Sequence, residues 1–254
     1  MKKSNSAFNF RSITSFSIVQ KHKIFFIFLW FIFISLLILS PSSYSQTPNN
    51  TIEVISDSDS LYVNYNTKEF LKLEKLNNPI NFKNPDIELL NAAIFHLTNK
   101  ERKKRKNPKL SFSAELSKAA RFHSEQMREK KFCSHYNKKD KKFYSPGDRI
   151  RYFGGRFNLS GENVLMERPL ICIGYSRPKI FFLSRYSLKE SEYKPMTYLE
   201  LAENMVKSWM SSRGHRKNIL HPDFRFLGCG VALPEVLYKS MKKNYAYATQ
   251  NFGG

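Results

Sequence analysis

The chain has 254 residues, 41% hydrophobic and 15% aromatic, with 42 Lys and Arg against 21 Asp and Glu. That is enough apolar material for one well-formed core, and three cysteines exclude a disulfide scaffold. The net charge of +21 draws the protein to anionic surfaces such as phospholipid headgroups or envelope polymers, and no fold follows from it.

The N-terminus is organised first. Lys2, Lys3, Arg11, Lys21 and Lys23 precede an uncharged, apolar run over residues 24–39, followed by Pro41 and small polar residues. That order reads as a secretory signal, with Ser43 and Ser45 in the small-residue positions of a cleavage site. The run is a little short for a bilayer span, so residues 1–45 read either as a signal peptide or as an uncleaved N-terminal anchor. Either way the remainder leaves the cytoplasm, to be secreted, periplasmic or anchored by that helix, which leaves N-terminal membrane attachment open. Residues 46–85 read as an extracytoplasmic linker, with short apolar segments at 52–55 and 61–65.

From Asp86 the pattern turns helical. Ile87, Leu90, Ile94 and Leu97 recur at spacings of three and four, and Asp86 after Pro85 caps the segment. The basic run 100–106 reads as a solvated helix end rather than a phosphate-contacting patch, and Asn107-Pro108 stops the helix. Ser113 caps a second helix whose buried face carries Leu116, Ala120, His123 and Met127, with His123 as a packed core histidine. A third helix over 197–210 buries Leu199, Ala202, Val206 and Trp209, and Ser211 or Ser212 ends it before a turn at Gly214. Segments 226–232 and 245–251 read as strands joined through a Lys-rich turn. Helices first and strands late predict an α+β layered domain. Cys133, Cys172 and Cys229 allow at most one internal pair, with one thiol left over.

Certain motifs stand in a telling order. They are Leu89-Leu90-Asn91, then Leu116, Ala120, His123-Ser124 and Met127, then Ser134-His135 and Gly161-Glu162-Asn163. The segment from Trp209 through Arg213-Gly214-His215-Arg216-Lys217-Asn218 follows, then Phe224, Gly228, Gly230-Val231 and Asn251-Phe252-Gly253. Together they resemble the CAP superfamily (cysteine-rich secretory proteins, antigen 5 and pathogenesis-related proteins) in its short bacterial SCP-like branch. The resemblance covers 86–254 and implies an α-β-α sandwich, a small antiparallel sheet flanked by helices. Against that pattern, residues 166–195 are an insertion containing Ile171-Cys172-Ile173 and Ile180-Phe181-Phe182-Leu183. It reads as packing on its own domain, or as an aromatic and basic loop beside a cleft, suited to lipid headgroups or an anionic polymer.

The resemblance also implies that His135, Glu162 and His215 converge in one cleft bordered by Asn163 and Ser212. Two imidazoles and a carboxylate can ligate a divalent metal such as Zn²⁺ with positions left for water. They can equally form a hydrogen-bonded network that holds loops together. The family pattern places a second carboxylate where this chain has Ser212, which removes one acidic group. Glu203 is expected to point elsewhere, and His221 to be an exposed turn residue. A serine triad from Ser211 or Ser212 lacks a nucleophile-elbow context. The function expected is a non-catalytic binding module whose cleft engages a lipid, glycan or envelope ligand, with or without a metal. The resembled family's links to sterol or fatty-acid binding point the same way. The alternative is a metal-assisted or serine-type extracellular hydrolase. No nucleic-acid motif is present, so no nucleic-acid partner is expected.

Overall fold

The computed structural model describes residues 57–172, 193–235 and 244–254, which fall in one compact unit, Val54–Gly254. The signal or anchor read at 1–45 lies outside the described residues. Two short helices, α1 (Asp57–Val63) and α2 (Thr67–Phe70), come first, followed by a 3-10 turn at Glu74–Asn77. Helix α3 (Ile87–Lys104) begins where Asp86 Oδ1 accepts from Leu89 N at 2.9 Å. That bond answers one of the backbone donors left over at a helix start. Helix α4 (Ala114–Lys130) is capped by Ser113 and stops at Lys131, a left-handed residue at φ 53°. Short α5 (Pro146–Tyr152) starts with a capping box of Ser145 and Asp148. Thr197 and Glu200 form another for α6 (Tyr198–Ser211). Helix α7 (Arg213–Ile219) follows after one extended residue, Ser212. The turn expected at Gly214 is therefore helix, because a single residue outside helical geometry suffices to end α6 and start α7.

The main sheet contains β1 (Ser111–Phe112), β2 (Ser160–Glu167), β5 (Phe226–Ala232) and β6 (Ala246–Gly253), in the order β1-β5-β6-β2. Its pairs are antiparallel except β1 with β5. A separate ribbon pairs β3 (Leu170–Cys172) with β4 (Tyr193–Pro195). One face of the sheet presents Leu227, Cys229, Val231, Ala248 and Phe252 to a core completed by Leu90 and Ile94 of α3 and Leu201 and Trp209 of α6. The other face meets α4 and α5 through clusters around Leu116, Ala119 and Ile150, and around Met127, Val164 and Tyr247. The result is the α-β-α sandwich expected. Helix α4 lies so close on β5 that a Cβ at Gly228 or Gly230 would come within 2.1 Å of a backbone nitrogen of the helix.

Two expectations change. The expected linker belongs to the fold from Asp57 on: Tyr62, Phe70, Leu76 and Ile80 are buried in the main core. Tyr62 stacks on Phe112 and Phe70 on His96, so this segment covers apolar surface of α3 and β1 that would otherwise face water. The basic run at the end of α3 is not wholly solvated, because Arg102 is fully buried. Its guanidinium donates to the carbonyls of Pro108, Ile219 and His221 at 2.7–2.9 Å, tying α3 to the end of α7. The antiparallel β3–β4 pair closes the base of the insertion, whose residues 173–192, including the aromatic run, lie outside the described residues. Cys133 and Cys229 are free thiols, Cys229 in the core; the Cys172 side chain lies outside the described part. Among the described residues no helix is long and apolar enough to cross a membrane.

Candidate functional site

Strand β2 forms the edge of the main sheet, and its alternation sorts the site residues onto two faces. Glu162 points with Val164 towards the α4–α5 side, while Asn163 points with Leu165 towards α6 and α7. The Glu162 side chain is 1% exposed, and both its oxygens are engaged. Oε1 accepts from His135 Nδ1 at 2.9 Å and Oε2 from Arg149 Nη2 at 2.8 Å. In the orientation that satisfies both its ends, the Asn251 amide also donates to Oε2 at 3.2 Å.

Arg149 is the organiser of this side, and sequence reasoning missed it. It is fully buried on α5. Besides Glu162, its guanidinium donates to the carbonyls of Phe143, Tyr144 and His135 at 2.9–3.2 Å. It thereby fixes the loop that carries His135, whose ring remains 41% exposed. A buried carboxylate facing a guanidinium is neutralised without losing its proton-acceptor geometry, which is what makes its burial tolerable. His123 lies just beneath, fully buried, with Nε2 hydrogen-bonded to the Ser134 carbonyl at 2.9 Å. Desolvation holds its pKa down to about 4, against the opposing pull of Glu162.

The other face is built from amides. Asn163 Nδ2 donates to the His215 carbonyl and to Gln250 Oε1, both at 3.1 Å. Asn218 Nδ2 donates to Asn163 Oδ1 and to the Glu162 carbonyl. Gln250 continues the chain to Thr98 on α3. This buried run of amides docks α7 on the sheet edge and so positions His215. Burial, then the charge on nearby His135, lowers the pKa of His215. His135 and His215 therefore approach the same edge strand from opposite layers. Asn218 and Gln250 were also missed; only the family-like segment containing Asn218 hinted at either.

Ser212 sits between α6 and α7 and makes no side-chain cap bond, while the Ser211 hydroxyl donates to the Ser208 carbonyl. Glu203 is exposed, as expected, whereas His221 is half-buried against Phe224. Among the described residues no group of three or more His, Cys, Asp or Glu side chains is placed to hold a metal ion. Of the residues expected in the cleft, Glu162 accepts through its two oxygens from His135 and Arg149.

A family model for the cysteine-rich secretory protein (CAP) family matches residues 95–252, more than half of the chain. The chain is 31% identical over 137 residues to the uncharacterized protein YkwD of Bacillus subtilis (strain 168), covering 54% of this chain and 40% of that one. It is 29% identical over 159 residues to the uncharacterized membrane protein YlbC of the same organism, covering 63% and 33%. It therefore spans less than half the length of either relative. Among solved structures, an extracellular protein containing an SCP domain from Bacillus anthracis str. Ames aligns with a TM-score of 0.43 at 24% identity, over 66% of this chain and 41% of that one.

Proposed function

Because the chain belongs to the CAP family of cysteine-rich secretory proteins, we propose that it is an extracytoplasmic, non-catalytic binding module. Its ligand, of lipid, glycan or other envelope origin, docks at the sheet edge around His135, Glu162 and His215. The observation that carries this reading is the state of Glu162. Its carboxylate is buried, 1% exposed, and held by Arg149 and His135, so it lies out of direct reach of a substrate and acts through His135.

A serine- or cysteine-type hydrolase would also need a side-chain nucleophile. Among the described residues no serine hydroxyl bonds to His135 or His215, and desolvation together with Glu162 raises the Cys133 pKa, away from the thiolate. What remains is a set of donors and acceptors suited to recognition. His135 gives Nδ1 to Glu162 and keeps Nε2 for a ligand, with Ser212 at the margin; Asn163, fully buried and engaged at both ends, supports the site from beneath. A divalent metal enters this reading only through the two imidazoles, with Glu162 orienting His135 from outside the coordination shell.

The test is to incubate the purified full chain with envelope lipids and with glycan fragments, then identify what stays bound by mass spectrometry. A bound species should be held about tenfold more weakly by His135→Ala and His215→Ala, the ~1.4 kcal/mol of one lost hydrogen bond. Turnover of ester or amide substrates that vanishes in His215→Ala would overturn the reading in favour of the hydrolase.

A further inference from the structure

A second concavity lies away from the sheet edge. Its walls are α2 with the residues just after it, the last turns of α3, and the strand-ward chain at residues 107–109; its volume is about 740 Å³. Five exposed lysines are among its lining residues: Lys68, Lys72, Lys100, Lys103 and Lys109. No carboxylate is among the lining residues, and none of the five makes an ion pair among the described residues. The acids adjacent in sequence on α2 and α3 are otherwise engaged. Glu101 pairs with Lys104, and Glu69 accepts from the Asn66 backbone in its capping box. The Thr67 hydroxyl, on the same wall, is shut from water with no hydrogen-bond partner.

Like charges gathered on one concave surface, even exposed ones, sum to a positive potential that an anion would relieve. Carbonyls at the end of a helix would ordinarily offset part of that potential. Here buried Arg102 sits beneath the end of α3 and adds a further positive charge. Positive potential also continues beyond the pocket. Asn107 Nδ2 bonds to the Leu220 carbonyl at 2.9 Å, joining it to a neighbouring concavity lined by Arg213, Arg216 and Lys217. Leu71 and the lysine stems supply the apolar floor that a carbon skeleton between anionic groups would need. Lys68, Leu71 and Lys72 come from the segment before residues 95–252, so half of this wall lies outside the family match.

We propose that this concavity binds ligands bearing more than one phosphate group, independently of the sheet-edge site. Ammonium point charges on flexible stems suit phosphate oxygens, and several phosphates at once would neutralise the cluster. The phosphates come either from a soluble polyphosphorylated compound or from anionic phospholipid headgroups.

The experiment uses the full chain with two probes, tripolyphosphate by calorimetry and thermal shift, and phosphatidylglycerol against phosphatidylcholine vesicles by co-sedimentation. The pocket variant is Lys72→Gln/Lys103→Gln; the control is Lys138→Gln/Lys139→Gln, equal in charge and exposed elsewhere. At about 150 mM salt, binding should fall at least about tenfold in the pocket variant and stay unchanged in the control. Tripolyphosphate should also raise the melting temperature of the parent but not of the pocket variant. Pocket-dependent binding of tripolyphosphate identifies a soluble phosphate as sufficient; pocket-dependent binding of phosphatidylglycerol vesicles alone identifies the headgroup. Equal weakening in both variants, or no binding of either probe, overturns the proposal. Should the paired variant melt early without ligand, single Lys103→Gln replaces it under the same criteria.

Discussion

Two buried guanidiniums, Arg102 and Arg149, hold this protein together at points where chain segments meet without regular pairing. Each converts a cluster of main-chain carbonyls into a docking point, and Arg149 adds a carboxylate. Arg149→Met strands Glu162 as a buried charge missing its strongest partner, which should cost about 3–5 kcal/mol in urea unfolding. Adding Glu162→Gln should recover part of that loss, and strict additivity of the two changes would argue against direct coupling. His123 gives stability a pH dependence of defined sign. It is neutral in the fold with its pKa near 4, whereas the unfolded chain takes up a proton near 6.5. Its contribution is therefore complete above about pH 6.5 and is lost as pH falls through about 4, on the order of 3 kcal/mol in total. Lowered His215 acts in the same direction. Urea midpoints measured between pH 7 and pH 5 should drop, and His123→Gln should flatten the slope. Neither guanidinium was legible beforehand, because nothing local marks one cation among 42 as buried. His123 was legible, since it shares a helical face with Leu116, Ala120 and Met127.

Elements were the most readable level. Asp86, Ser113 and Thr197 stand where helices begin, and each accepts the backbone bond that a start leaves open. Glycines in β5 were part of the motif, yet their reason is tertiary: helix α4 lies directly on Gly228 and Gly230. Gly230→Ala should push α4 off the sheet and cost at least about 1–3 kcal/mol, read as a lowered melting temperature. An unchanged melt would mean that α4 has room to shift. Gly214, by contrast, has open space at its Cβ and ordinary helical backbone, so alanine there should be silent or mildly stabilising. Sequence could not tell these glycines apart, because the distinction lies in what approaches from another element.

At the scale of the molecule the unit begins earlier than its family-like motifs. A chain starting at Asp86 should lose more stability than the about 3–5 kcal/mol expected for Phe70→Ala, because it also uncovers the surfaces beneath Tyr62, Leu76 and Ile80. Comparing melts and dye binding of residues 57–254 with those of 86–254 checks this; equal melts would return the segment to the status of a linker. The amino-acid order by itself determined the long helices α3, α4 and α6, strands β5 and β6, the layered α+β class and the family, because periodicity, caps and ordered motifs are local properties; the short helices and β2 carry no such signal. Through resemblance rather than spacing it also proposed a cleft of His135, Glu162 and His215, of which the structure pairs His135 with Glu162. Only the tertiary structure decided which groups neutralise Glu162, which face of β2 each residue serves, and that lysines from α2 and α3 share one concavity. Those outcomes depend on charges and carbonyls distant in sequence meeting where water is scarce, and the energy of such meetings is set by distance and burial rather than by neighbours along the chain.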